Sequence, residues 1–107
     1  MHLLTDLDNI DELISQKEIC VVQFGSNSCS PCESIKQKLN IALLNKDEIN
    51  YIYVDIEKFN ELAATYSIFS VPTILVFVQS KLTIRESGYF SLESILKRID
   101  RYLELLN

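Results

Sequence analysis

Apolar positions along the chain switch between two rhythms, one helical and one extended. Ile10, Leu13 and Ile14 keep the i, i+3, i+4 spacing of a helix face behind Asp8 and Asn9, which suit a helix start, and predict a short opening helix. Residues 19–24 (Ile-Cys-Val-Val-Gln-Phe) form an apolar run rich in β-branched side chains, closed by Gly25-Ser26-Asn27-Ser28, and read as a buried strand ending in a loop. After Pro31 the helical spacing returns, with Ile35, Leu39, Ala42 and Leu43 on one face. Pro31 suits the first turn, where its missing N–H would have no helical partner.

Residues 49–56 again read as a strand, and residues 60–66 place Leu62, Ala63 and Tyr66 on one face of a brief helix. Residues 73–78 and 82–87 are predicted strands joined by Gln79-Ser80-Lys81, a hairpin connection without the usual Asn-Gly or Asp-Gly pair. From Ser91, a good N-cap, the residues Leu92, Ile95, Leu96, Ile99, Leu103 and Leu106 trace one helical stripe to the C-terminus. The order α-β-α-β-α-β-β-α defines an α/β protein: a central mixed sheet of about four strands, flanked by helices on both faces. No repeat or Pro/Gly-rich linker divides the chain, so residues 1–107 are expected to form a single domain.

Composition narrows the partners. The 107 residues are 48% hydrophobic, enough to bury a core without staples. The net charge of −5, from 15 acidic and 10 basic residues scattered along the chain, argues against a grip on nucleic acid. No apolar run approaches the roughly 18 residues a membrane span requires. Residues 1–14 lack a basic start and are interrupted by Asp6, Asp8 and Asp11, unlike a signal peptide. The cysteine count of 3 cannot close a disulfide framework and fits a reducing compartment, so a cytoplasmic location is expected.

The candidate chemistry lies at Cys29-Ser30-Pro31-Cys32, a C-x-x-C at the predicted N-terminus of the second helix. There the unpaired N–H groups and the helix dipole favour a thiolate, lowering a cysteine pKa from about 8.5 into a range of roughly 3.5 to 7.5. Cys29 is the expected nucleophile and Cys32, one turn on and more buried, the expected resolving thiol. Such a pair exchanges two electrons with a partner's disulfide and needs no organic cofactor. Two other readings stand beside it. The cysteines could be half of a zinc site, but His2 and Cys20 would have to complete it from the terminus and a buried strand. They could also be inert core residues, the role expected of Cys20 between Ile19 and Val21.

With this motif in place, the chain resembles the thioredoxin family over nearly its whole length. The matching residues are Phe24, Cys29-Ser30-Pro31-Cys32, Val54-Asp55, Glu61-Leu62-Ala63 with Tyr66, Ser70-Val71-Pro72-Thr73 before an apolar strand, and Gly88. The resemblance implies a thioredoxin fold and a protein thiol–disulfide oxidoreductase that mainly reduces its substrates. It implies a cis bond between Val71 and Pro72, with Pro72 beside the cysteines and the Val71 backbone free to pair with an extended substrate. Ser30, Pro31, Val71, Pro72 and Gly88 are the implied substrate-binding residues. Protein disulfides are the implied substrates and a thioredoxin-reductase-like protein the implied electron donor, with no cofactor or metal and a monomeric state.

The departures from the family pattern are physical. Its usual Trp before the first cysteine is Ser28, and its common Gly between the cysteines is Ser30, so the local surface is more polar. Gln23 stands where a buried Asp often lies beneath the resolving cysteine, and Tyr53 at the position of that Asp's common Lys partner. Losing both charges together leaves no unpaired ion in the interior. It also leaves Cys32 without an evident carboxylate to take its proton, while easing ionisation of both thiols. These departures sustain a rival reading, a thioredoxin-fold binding module that docks partners through Phe69, Val71 and Tyr89 with little redox turnover. A glutathione-dependent, glutaredoxin-like activity is disfavoured by the absence of a Tyr inside the C-x-x-C and of a Gly-Gly after the proline strand. Phe69, Tyr89 and Phe90 are expected either to pack in the core or to contact a partner.

Overall fold

The structure is a computed structural model that describes residues 1–107. Its elements are β1 (His2–Leu3), α1 (Ile10–Ser15), β2 (Ile19–Gly25), α2 (Ser30–Ala42), β3 (Ile49–Asp55), α3 (Asn60–Thr65), β4 (Thr73–Val78), β5 (Lys81–Ser87) and α4 (Leu92–Leu106). They form one sheet in the order β1-β3-β2-β4-β5, with β1 and β2 both parallel to β3, and β4 antiparallel to β2 and β5.

The sheet therefore has five strands, one more than the pattern predicts. The missed strand, β1, is two exposed residues paired with Ile52 and Tyr53, too short to carry a period-2 signal. The other elements lie where the periodicity puts them. Asn9 caps α1 through bonds from the N–H groups of Asp11 and Glu12, and Ser91 caps α4 by accepting from Ser94 N. The β4–β5 hairpin turns on Gln79 and Ser80, both at positive φ (50° and 66°), the backbone of a two-residue primed turn reached here without glycine.

β2 is the central strand, and every one of its residues is buried. Alternation sends Cys20, Val22 and Phe24 into a core shared with Ile14 of α1 and Ala63 of α3, where Tyr66 packs its ring against Phe24 and Phe77. Ile19 and Val21 point the other way, into a core closed by Leu39 of α2 and by Ile95 and Ile99 of α4. Burying each such aliphatic side chain contributes about 1.5–3 kcal/mol, so α2 and α4 are held to the sheet by their apolar stripes. This places the start of α2 directly after the C-terminal end of β2.

Two side chains fix the loop between α3 and β4. Arg85 of β5 donates to the carbonyls of Tyr66 (2.8 Å) and Ser67 (2.6 Å), where Ser67 takes a φ of 58°. Thr73 Oγ1 donates to the Ser70 carbonyl at 2.7 Å and meets Ser87 Oγ at 2.9 Å. Between these anchors lies the Val71–Pro72 bond, which is cis.

Candidate redox site

Cys29 is the N-cap of α2, with the extended backbone (φ −100°, ψ 98°) that a cap requires, and Pro31 lies in the first turn. Its sulfur takes the place of the usual capping oxygen: Cys29 Sγ accepts from Cys32 N at 3.2 Å. Cys29 and Cys32 are joined as a disulfide with Cα atoms 5.3 Å apart. The two sulfurs are unequal. Cys29 is partly exposed, whereas Cys32 has no solvent-accessible surface. The N–H bond and the N-terminal end of the α2 dipole both favour negative charge on Cys29 once the disulfide is opened.

Beneath Cys32 the interior is polar and neutral. Gln23, fully buried on β2, donates from Nε2 to the Cys32 carbonyl at 2.9 Å and accepts at Oε1 from the Tyr51 hydroxyl. The amide thus satisfies two buried groups without introducing a charge. Burial pushes the Tyr51 phenol pKa up, with Tyr53 and Glu33 adding to the shift, so Tyr51 stays a proton donor. Tyr51 was not singled out by the sequence pattern. The signal available was that Tyr51 and Tyr53 are two apart on β3, pointing to the face that carries Gln23.

Tyr53 lies on the same side, against the end of β2. A Cβ on Gly25 would collide with the Tyr53 hydroxyl and approach Cys32 Cβ to 3.0 Å, so the close passage of these strands past the cysteine requires glycine there. Lys36 of α2 sits over the Tyr53 ring at 4.6 Å and pairs with Glu33 at 3.1 Å. Burial raises the Tyr53 pKa, and the Asp55 and Glu33 carboxylates raise it further.

The residues named from the resemblance converge. Pro31, Val71, Pro72 and Gly88 line one groove beside the disulfide, while Cys29 and Ser30 border a smaller polar cavity with Tyr53. Gly88, at φ 73°, donates its N–H to the Pro72 carbonyl at 2.9 Å, extending the β4–β5 pairing by one step. Val71 lies outside every helix and strand, and its own N–H and carbonyl make no hydrogen bond within the protein. The aromatic trio divides: Phe90 packs on the α4 side of the core, while Phe69 is 87% exposed and Tyr89 wholly so. Cys20 is sealed in β2, and burial pushes its thiol up to about 12.

The bond this site can make and break is an S–S bond, and the currency is two electrons; by class the protein is a thiol–disulfide oxidoreductase. Its family follows from comparison: the family model described as Thioredoxin matches residues 2–101, and the chain belongs to the thioredoxin family. A thioredoxin of Mycoplasmoides gallisepticum is 28% identical over 100 residues, covering 91% of this chain and 100% of its own. Thioredoxin Y2, chloroplastic, of Arabidopsis thaliana is 30% identical over 100 residues, 92% of this chain and 60% of that one. The X-ray structure of Fasciola hepatica thioredoxin superposes with a TM-score of 0.82 at 28% identity, covering 95% of this chain and 99% of that one. The oxidised thioredoxin from Plasmodium falciparum shares the fold, with a TM-score of 0.81 at 23% identity over 92% of this chain and 97% of its own. Family members act on protein disulfides and receive electrons from reductase donors. No helix is long and apolar enough to cross a membrane.

Proposed function

We propose that this chain is a cytoplasmic, monomeric, single-domain reductant of protein disulfides in which Cys29 attacks and Cys32 resolves. The observation that carries the assignment is the inequality of the two sulfurs: Cys29 is partly exposed and bonded to a helix N–H, and Cys32 is buried behind it. In the reduced protein the Cys29 thiolate attacks one sulfur of the partner's disulfide, and the other leaves as a thiolate and takes a proton from solvent. A mixed disulfide links Cys29 to the partner. Cys32 then gives up its proton, attacks Cys29 Sγ and expels the second partner thiol. Two electrons have passed to the partner, and a thioredoxin-reductase-like donor returns them, making the protein a link in electron transport.

Ser30, Pro31, Val71, Pro72 and Gly88 form the substrate contact. Supporting this, the unpaired N–H and carbonyl of Val71 are available to an extended segment, which main-chain bonds would hold while tolerating many side chains. The acidic balance of the chain fits a protein that binds neither nucleic acid nor membrane. Both electrons reside on sulfur, so no cofactor is needed.

Equilibration of the protein in graded thiol/disulfide buffers, followed by rapid thiol trapping and mass determination, tests the assignment. A reversible two-thiol couple lost in Cys29→Ser is the expected result, with a potential low enough to reduce partners at the cytosolic poise; no internal disulfide at any poise refutes it. Because Gln23 cannot take the Cys32 proton, exchange at neutral pH is expected to be slower than with a carboxylate there. Gln23→Asp should then alter the pH profile of exchange, and an unchanged profile counts against this role.

A further inference from the structure

Resolution leaves one proton without a carrier. Cys32 has no solvent-accessible surface, and the Gln23 amide beneath it is not a base that could take the thiol proton. Across Gly25 from Cys32 stands Tyr53. The space that a Gly25 side chain would fill is bounded by the Tyr53 hydroxyl and, at 3.0 Å, by Cys32 Cβ, so the missing side chain is what lets the two residues approach. Tyr53 is only 6% exposed. Tyr51 gives its hydroxyl to Gln23, whereas the Tyr53 hydroxyl bonds to no protein group, and since no fully buried side-chain oxygen is left unpartnered it must reach the cavity it lines. That cavity, about 400 Å³, is walled by Ser26, Asn27, Ser30, Glu33 and Asp55 and extends to Cys29. Lys36 covers the face of the Tyr53 ring at 4.6 Å, which leaves the hydroxyl as the polar end of a side chain otherwise enclosed.

We propose that the Tyr53 hydroxyl relays the Cys32 proton into the solvent of this cavity during resolution. The inference rests on the reading of Cys29 as the attacking thiol and Cys32 as the resolving one, and it names the group that the second step needs. In the mixed disulfide the Cys32 thiol passes its proton to the Tyr53 oxygen while the tyrosine O–H passes its own to solvent, so the phenol ends as it began. The Cys32 thiolate attacks Cys29 Sγ, the bond from Cys29 to the partner breaks, and the electron pair leaves on the partner's sulfur, which takes a proton from solvent. A hydroxyl suits a relay because it accepts and donates at one atom. The charged groups around it are Glu33 and Lys36 from α2 and Asp55 from β3, with Tyr51 two residues back, while β2 and β1 present the uncharged Gln23 and Leu3. Burial, with Asp55 and Glu33 adding to it, holds the phenol above its ordinary 10.0, so Tyr53 stays protonated and passes the proton on without storing it.

The test separates the two chemical steps. Pre-reduced protein is mixed with excess bis(2-hydroxyethyl) disulfide and quenched in acid at intervals, and intact mass distinguishes the dithiol, the mixed disulfide and the internal disulfide. Tyr53→Phe removes one oxygen that bonds to nothing in the protein, so its urea midpoint should match the wild type. At pH 7 the variant's first step should be unchanged and its second about tenfold slower, so that the mixed disulfide accumulates. At pH 9.5, above the ordinary thiol pKa of about 8.5, hydroxide takes the proton without a relay and the deficit should shrink to about twofold or less. An unchanged second step at pH 7 overturns the relay and leaves the redox reading standing. A deficit of the same size at both pH values, or equal slowing of both steps, overturns it too, because a packing fault would not depend on pH. Cys32→Ser tests the underlying reading separately, since it should stop at the mixed disulfide on Cys29. If that variant forms no mixed disulfide, the reading of Cys29 as the attacking thiol fails, and the relay with it.

Discussion

The two ends of β2 hold the same element in opposite states. At its start Cys20 is enclosed by apolar side chains, and burial raises its thiol to about 12. Just past its other end Cys29 sits partly exposed at a helix start, with an N–H directed at its sulfur. Between them Gln23 and Gly25 change the strand from a purely apolar element into one that contacts Cys32 through a polar amide and a missing side chain. Reactivity here is a property of position: a low-dielectric strand suppresses the thiolate, and a helix terminus invites it.

Substitution of the cysteines should separate the two ends most sharply. Cys29→Ser is expected to bring disulfide reduction down to the uncatalysed background in a turnover assay, while Cys20→Ala leaves the turnover of the reduced protein unchanged. Next in size is Gln23→Leu, which strands the buried Tyr51 hydroxyl and removes the second bond to the Cys32 carbonyl. The unsatisfied hydroxyl costs about 1–3 kcal/mol, so the urea midpoint should fall with its slope unchanged.

A smaller and pH-dependent contrast concerns the Cys20 proton. Its folded pKa of about 12 lies above the ordinary 9.0, so above pH 9 the unfolded chain releases a proton that the native state keeps. Stability from this group therefore declines as pH rises from 9 towards 12, at up to about 1.4 kcal/mol per pH unit. Urea titrations at pH 8 and pH 10 should show a steeper loss in the wild type than in Cys20→Ala; parallel losses would contradict the burial argument. The smallest effect is at the N-terminus. The Thr5 backbone N–H and His2 lower the exposed Asp8 below its ordinary 3.8, so its contribution is present above that value and lost as pH falls through the folded pKa. Asp8→Asn should flatten the acid limb slightly, with no change at neutral pH.

Much of this was legible in the residues because the signals were local and repeated. The six-residue stripe of α4, the β-branched run of β2 and the Pro31 start of α2 each point to one element and one face. The reacting pair was legible because spacing and helix position together define its chemistry. What escaped depends on distant partners. β1 exists only because β3 offers an edge to it, and the Gln79-Ser80 turn takes positive φ because the strands on either side demand it. Gln23 read as a departure, yet its meaning lies in Tyr51, a residue 28 positions away that the parallel pairing of β2 with β3 brings within hydrogen-bond reach on the same face. The unpaired backbone of Val71 was expected only through the resemblance at Ser70-Val71-Pro72-Thr73, since no periodicity of side chains marks it.

The bulge between Val76 and Phe77 bears on how the sheet meets other sheets. β5 is an edge strand, and a regular edge of unpaired N–H and C=O groups can recruit a strand from another molecule and seed fibrils. The bulge breaks the even spacing of that edge and increases its twist, and Lys81 and Arg85 place positive charge along it. The long edge is thus shaped to discourage pairing that would never release, while the backbone at Val71 stays unpaired.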